Sequence, residues 1–460
     1  MLEQINSFIS GIAVPLFLCA AGLFFCFKLG FFHLFRPLAV IRGLRSGGSS
    51  GVSSAKAVTL ALAGTLGVGN IVGVSSAIHL GGFGAVMWMW ISALLAMLLK
   101  YAEIVLAIIY RKRRADGTFD GSAMHYIKAR FISLGLPRLG GIIAAVFAVA
   151  FLVCSLTMGS MLQARAASEA LCGVFGVPCV LTGVAMGLLT LTVCARGTKG
   201  LLRVTELLVP VMSVGYAVMS LAVILSNAEQ VPSAFSLIFS SAFSASAAAG
   251  GIGGFLFNKA VRYGVMRGLV SNEAGCGTAP AAHAIADCRS PASQGFWGIF
   301  EVFADTVVLC TMTALTVILE YDAASRFAGN YMMMTLSAFR SCLGSYAAYF
   351  LCAAVICFAL ATVLCWSHYG LCALRYLYPN RDMRLPFFTV YSLCVFIGAC
   401  ASSELSWLLS DLSMGIMALI NLGVIWSMWR EVRSQTVLEM ENMLLEKNFK
   451  KTRNFGSRCQ

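Results

Sequence analysis

A glycine-rich interruption inside an apolar run limits the folds open to this chain. Residues Ala63-Gly64-Thr65-Leu66-Gly67-Val68-Gly69-Asn70-Ile71-Val72-Gly73 have flanks apolar enough to enter a bilayer, yet glycines at 64, 67, 69 and 73 surround one carboxamide, Asn70. Each glycine weakens a helix by about 1 kcal/mol relative to alanine. In hydrocarbon, a broken helix persists only when it is buried in protein or lines a wet cavity. The glycines therefore serve close helix packing or build a site, and the stretch alone does not separate the two. Gly81-Gly82-Phe83-Gly84 then turns the chain, and Ala85 to Trp90 starts the next helix.

The surrounding composition identifies the solvent. Of 460 residues, 59% are hydrophobic and 12% charged, against about 25% charged in a soluble domain. This predicts a multi-pass membrane protein in a lipid bilayer. A net charge of +13 would suit nucleic acid only if the basic residues formed one soluble patch. Instead they sit in short loops between apolar runs, so no nucleic-acid partner is expected. The 17 cysteines include no CxxC pair, and most lie in apolar runs, where they act as small hydrophobes. Neither a disulfide framework nor a zinc site is expected. The first apolar run follows Glu3 with no basic residue before it, which argues against a cleavable signal peptide.

At roughly 20 apolar residues per span, the chain reads as about eleven helices. They lie near 12–32, 57–78, 85–109, 140–160 (with a more polar extension to 168), 177–194, 205–225, 239–263, 295–319, 347–369, 385–401 and 405–429. The seventh is weak and broken by Gly250-Gly251-Ile252-Gly253-Gly254. The tail after Arg430 reads as a surface helix followed by disorder. Alternate loops hold nearly all the Lys and Arg, for example Arg111 to Arg114, Arg196 to Arg203, Arg262 with Arg267 and Arg289, and Arg375 to Arg384. The opposite loops hold only Arg165, Arg326 and Arg340. The positive-inside rule then places the N-terminus outside and the tail in the cytoplasm.

Setting the first helix aside leaves ten, which divide five and five. Expected segments are 1–56 (N-terminal helix and cytoplasmic loop), 57–226 and 227–430 (two five-helix halves), and 431–460 (tail). Each half opens on a glycine-broken span, and an odd number of spans per half inverts one relative to the other. Interrupted helices at matching positions of inverted halves point to the binding site of a secondary transporter.

Several residues can carry chemistry. An unwound turn offers carbonyls to sodium and free amides to a carboxylate, and the first broken span has no charged side chain. That argues for a small neutral amino acid. Asp305 and Thr306 sit inside the eighth span, where carboxylates are rare and functional by default; Asp305 either binds a cation or proton or ties to a neighbouring helix end. Thr311 and Thr313 lie beyond. Ser271 to Pro280 reads as a cytoplasmic loop or short re-entrant helix, in which Glu273 either pairs with Arg262 or Arg267 to close the inner side or lies in a solvated loop. Thr362 offers a hydroxyl to sodium. Trp366 walls an apolar pocket or belongs to an interfacial belt. His368 reads as a packed histidine, His79 stands at the outer mouth of the second span, and Lys100 with Glu103 reads as a helical pair.

With these residues in view, the chain resembles the alanine or glycine:sodium symporter family of the amino acid–polyamine–cation superfamily. The resemblance spans nearly the whole chain. It rests on Gly67-Val68-Gly69-Asn70-Ile71, Gly81-Gly82 through Trp88-Met89-Trp90, Lys100-Tyr101-Ala102-Glu103, Arg262-Tyr263-Gly264, Arg267-Gly268 through Pro280, and Trp366-Ser367 with Tyr369-Gly370. It implies an all-α polytopic membrane protein with one extra N-terminal helix and a leucine-transporter-like 5+5 inverted-repeat core containing two broken helices. It implies import of alanine or glycine, D or L, across a bacterial inner membrane by alternating access, with Na+ as coupling ion, no organic cofactor and no obligatory protein partner. By the same resemblance, the carbonyls of Ala63 and Leu66 and the Thr362 hydroxyl form a sodium site. The Thr65 carbonyl contacts the substrate ammonium or a second ion, and amides near Gly67, Val68 and Gly69 take its carboxylate. Asn70 lies at or beside that site, with Asp305 a further sodium candidate; Gly250, Gly251 and Gly253 supply the facing break and Trp366 a pocket wall. Departures from the family pattern are Val72, Met87, Ala96, Met414, Ile420 and Ala361, the last removing a hydroxyl beside Thr362 and leaving ion stoichiometry open. Other classes make distinct demands. A membrane enzyme needs clustered His, Asp or Glu on facing helices, a channel conducts above carrier rates, and a transport-dead sensor binds without flux.

Overall fold

A computed structural model describes residues 2–44, 52–114, 119–243 and 259–456. These are almost entirely helical. The strands among them are two-residue pairs, Val52–Ser53 parallel to Ala286–Asp287 and Lys112–Arg113 antiparallel to Phe119–Asp120. The helices are α1 (Gln4–Leu29), the bent pair α2 (Ser54–Thr65) and α3 (Gly69–Gly81), α4 (Ala85–Tyr110), α5 (Ala123–Ser133), α6 (Pro137–Phe175), α7 (Cys179–Ala195) and α8 (Gly197–Ser226). After them come α9 (Val231–Ala242), α10 (Lys259–Asn272), α11 (Ala279–His283), α12 (Pro291–Leu319), α13 (Tyr331–Leu343), α14 (Ser345–Leu377), α15 (Arg384–Cys400), α16 (Ser403–Ser427) and α17 (Trp429–Gly456). Seven helices are long and apolar enough to cross a membrane, and the pair α2–α3 makes an eighth such span. With the shorter apolar helices α7 and α15, they account for every expected span but the seventh.

The seventh span needs correction. Gly250, Gly251 and Gly253 lie outside the described residues, but helix is present on both sides, in α9 and α10. Helix α10 runs past Tyr263 to Asn272, carrying Arg262 and Arg267 with it. Arg262 meets Ser7 and Arg267 faces Asp411, so both lie at the end of the bundle that holds the N-terminus, not with the basic loops of the other end. Two smaller differences concern length. Helix α6 continues unbroken for 39 residues, and the basic segment after α4 contains the short helix α5.

Burial sorts the helices by role. In α4, 89% of the apolar window is buried, against 28% in α8. Helix α8 turns Leu207, Val211, Val214, Val218 and Leu225 outward, at helical spacing, which gives it a lipid-facing stripe. Glycines let α4 reach its neighbours: a Cβ on Gly264 would lie 2.4 Å from the Ala85 carbonyl oxygen, and one on Gly22 2.7 Å from Leu95 Cβ. Small residues at such crossings allow the backbone approach that drives packing in lipid.

The helix of the tail is longer than a short surface segment: α17 runs to Gly456, the last described residue. Its inner face is wired to the bundle. Thr436 bonds Tyr101 at 2.8 Å, Glu431 accepts from Tyr110 at 2.7 Å, and Glu439 accepts from Ser290 at 2.8 Å. Lys28 at the end of α1 stacks over Trp429 at 4.7 Å.

Forcing a side chain into a contact between two backbones costs about 1–3 kcal/mol, occasionally more. Gly264→Leu is therefore expected to lower the thermal midpoint of the detergent-solubilised protein sharply. Gly141→Leu, whose Cβ would meet nothing within 4 Å, leaves the midpoint unchanged.

Candidate functional site

The first break forms where the glycines predict it. Helix α2 ends at Thr65, whose hydroxyl donates back to the Ala61 carbonyl at 3.3 Å. The Leu66 amide donates to Leu62 at 2.7 Å and the Gly67 amide to Thr65 at 2.8 Å. The chain resumes as α3 in a π-helical turn, Gly69–Gly73, with the axis bent by 49°. Gly67 is needed for a close approach: a Cβ there would lie 2.7 Å from Thr362 Oγ1 and 3.0 Å from Gln163 Oε1. Those two side chains hold the turn. Thr362 donates to the Ala63 carbonyl at 2.9 Å, and Gln163 accepts from the Val68 amide at 3.1 Å. Three expected partners, Ala63, Leu66 and Thr362, thus lie at one turn. The Val68 amide is committed to Gln163, while Gly69 is the half-exposed residue of the break.

A second break lies at Glu273–Thr278, between α10 and α11, in the stretch read from sequence as a cytoplasmic loop or short re-entrant helix. It is buried throughout. Three residues take positive φ: Glu273 at 56°, Gly275 at 89° and Gly277 at 77°. That conformation costs a glycine little and is uncommon for glutamate. Buried side chains pin the loop. Glu103 accepts from the Gly277 amide at 2.8 Å, and Asn421 donates to the Gly275 carbonyl at 3.0 Å and to Glu103. Glu273 does not pair with Arg262 or Arg267; its carboxylate accepts from the Trp366 indole at 3.2 Å. Lys100 and Glu103 do not form a helical pair either, because each turns to a different tertiary partner.

The two breaks meet at α12. Asp305, in the π-helical turn Phe303–Cys310, accepts from Asn70 Nδ2 at 2.6 Å and from the Ser271 and Thr306 hydroxyls at 2.7 Å each. Asn272 donates to Thr306 at 3.1 Å. Asp305 is thus tied to the ends of both broken helices, while Asn70 Oδ1 is buried without a hydrogen-bond partner. One turn earlier, Glu301 accepts from Lys100 at 2.7 Å, Thr65 at 3.1 Å and His283 at 3.1 Å. The Gln294 amide donates to His283 Nδ1 at 2.9 Å, which puts the ring proton on Nε2, facing Glu301.

The remaining candidates are less central. Trp366 is fully buried, with its ring 6.0 Å from Phe151 and 5.3 Å from Tyr369. His368 is packed with a ring nitrogen 3.3 Å from the Ala281 carbonyl, and His79 is exposed beside Tyr331. Thr311 accepts from Trp90, and Thr313 bonds Tyr216. Sequence reasoning missed Gln163, Glu301, His283 and Asn421, and misread Lys100, Glu103 and Glu273. Glu301 carried the same signal as Asp305, a carboxylate inside an apolar span; Gln163 carried none. Among the described residues, no three His, Cys, Asp or Glu side chains converge as a metal centre would require.

The model of the sodium:alanine symporter family matches residues 1–450. An uncharacterized transporter of Haemophilus influenzae is 37% identical over 431 residues, covering 92% of each chain. The sodium/alanine symporter AgcS of Methanococcus maripaludis is 34% identical over 433 residues, covering 92% of this chain and 93% of AgcS. Among solved structures, a Na+-coupled sialic acid symporter in its substrate-bound outward-open state superposes with a TM-score of 0.53 at 13% identity, covering 89% of this chain and 82% of the other. The fold is leucine-transporter-like, and the chain is a transporter of the sodium:alanine symporter family.

Proposed function

We propose that the chain imports a small neutral amino acid, alanine or glycine, together with Na+ by alternating access. The observation that carries this reading is the meeting of both breaks on Asp305. Asn70 of the first and Ser271 of the second donate to one carboxylate, and Asn70 keeps a carbonyl oxygen free. The Asp305 carboxylate, the free Asn70 oxygen and the hydroxyls of Ser271 and Thr306 are oxygen ligands of the kind a hard cation takes. A cation at that point would be felt by both broken helices at once.

A further sodium ion takes the carbonyls of Ala63 and Leu66 and the hydroxyl of Thr362, which already lies 2.9 Å from the Ala63 carbonyl. Ala361 adds no second hydroxyl, so this site leans on the backbone. The substrate sits at Thr65 to Asn70. Its carboxylate faces the backbone amide at Gly69, its ammonium the Thr65 carbonyl, and no charged side chain in the break selects a charged substrate. The facing role expected of Gly250, Gly251 and Gly253 passes in this reading to Glu273–Thr278, with Trp366 behind it as the wall.

The inverted halves are 57–226 and 227–430, flanked by the N-terminal helix within 1–56 and the tail 431–460. The tail end of the bundle faces the cytoplasm of a bacterial cell and the N-terminus faces outward. In support, Lys28, Arg111 and Arg375 lie at the tail end, and the shift of Arg262 and Arg267 to the other end leaves that excess in place.

Labelled alanine is expected to accumulate in proteoliposomes under an inward sodium gradient. Uptake driven by a proton gradient instead would refute the sodium assignment. Asn70→Ala and Thr362→Ala are expected to abolish sodium-driven uptake while the protein still inserts; normal uptake in both would place the site elsewhere. Asp305→Asn is expected to raise the half-saturating sodium concentration at least tenfold, read from uptake against sodium.

A further inference from the structure

Lys100 lies within α4 with its side chain wholly buried, and the transport scheme makes no use of it. Its ammonium donates to two acceptors on different helices. One is the carbonyl of Asn272, the last residue of α10, at 2.8 Å; the other is Glu301 Oε1 on α12, at 2.7 Å. That same Glu301 oxygen accepts from Thr65, the last residue of α2, at 3.1 Å. A short path therefore runs from the end of one broken helix to the end of the other: Asn272, Lys100, Glu301, Thr65. Asp305 follows Glu301 by four residues and sits beside it on α12, so the bridge and the candidate cation site share one support.

A buried ion pair is weak evidence for stability, because desolvating both charges offsets much of their attraction. What this pair supplies is geometry. An ammonium with two acceptors and a carboxylate with three donors define the spacing of α2, α4, α10 and α12 in a way that apolar packing would not. The other charged or titratable groups facing the pair are Glu103 on α4, Asp305 on α12, Glu273 in the second break, His283 on α11, and Cys365 and Tyr369 on α14. His283 reinforces Glu301 from the side opposite Thr65.

We propose that Lys100 is a positioning residue for ion coupling: through Glu301 it holds the two breaks at a fixed spacing, so that a cation bound at Asp305 sets the geometry the amino acid meets. This rests on the sodium reading of Asp305. The role predicts a thermodynamic signature, since coupling between two ligands is the ratio of one ligand's affinities with and without the other.

The experiment measures binding of labelled alanine to the full-length, detergent-solubilised protein with sodium and with sodium replaced by choline. Wild type is expected to gain on the order of tenfold or more in affinity from sodium, within the usual range of coupling. Lys100→Met alone would leave Glu301 buried and unpaired, so the informative variant is Lys100→Met with Glu301→Leu. It is expected to bind alanine in choline about as well as wild type, with the sodium enhancement reduced to within about twofold of unity. Lys100→Arg keeps the charge and the two-acceptor reach and retains most of the enhancement. A pair that served stability alone would lower the thermal midpoint and leave the ratio intact; a folded double variant with the full wild-type ratio overturns the proposal. Should the double variant not fold, Glu301→Gln decides, since an unchanged ratio there also overturns it. A wild-type ratio of one would instead remove the sodium reading, and this role with it.

Discussion

A charge taken out of water costs several kcal/mol unless an opposite charge or a full set of hydrogen bonds comes with it. That constraint orders the interior of this bundle. Glu103, Glu301 and Asp305 are buried in helices that cross the core, and each draws donors from other helices. Glu301 gathers α2, α4 and α11; Asp305 gathers α3 and α10; Glu103 gathers the loop of the second break and α16. Two interrupted helices, each losing backbone hydrogen bonds, are held together by carboxylates that need those donors.

The contacts to α6 and α14 are of another kind. Gln163 and Thr362 reach the first break, and Cys365 reaches α2 at Leu60, through neutral hydrogen bonds to backbone groups, while Trp366 reaches the second by donating its N–H to the Glu273 carboxylate. A neutral hydrogen bond contributes about 0.5–1.5 kcal/mol net and can be exchanged for water. A buried ion pair cannot be separated so cheaply. The seam crossed by hydrogen bonds without an ion pair is therefore the one that separates at the lower cost.

The spans and the first break were legible because their signals are local. A run of apolar residues of bilayer length needs no partner to be recognised, and four glycines around Asn70 weaken a helix wherever it sits. The expected second break, Gly250 to Gly254, lies outside the described residues, and the break at Glu273–Thr278 was read as a loop or short re-entrant helix for a physical reason. Gly250 to Gly254 is the denser glycine run, whereas Glu273 to Thr278 follows a helix with Arg262, Arg267 and low apolar content. Its burial is conferred by α4, α12 and α16 closing around it. Lys100 and Glu103 were read as neighbours because their spacing permits a local pair, and tertiary partners outbid a pair that could form on any exposed helix. The π-helical turns at Gly69–Gly73, Thr157–Met161 and Phe303–Cys310 leave no mark in composition, although such turns gather at functional sites. The middle one presents Gly159 to the face of Trp366.

The tail helix α17 is fastened to the same carboxylate-linked assembly. Tyr101, one residue beyond Lys100, holds Thr436, and Ser290, at the start of α12, holds Glu439. Neither anchor belongs to α6 or α14. The tail is therefore fastened to one side of the seam, at α4 and the start of α12. A spin label or fluorophore on its outer face would travel with α4 and α12, and paired with one on α14 it would record the working stroke of the carrier as a changing distance, without a probe in the substrate path.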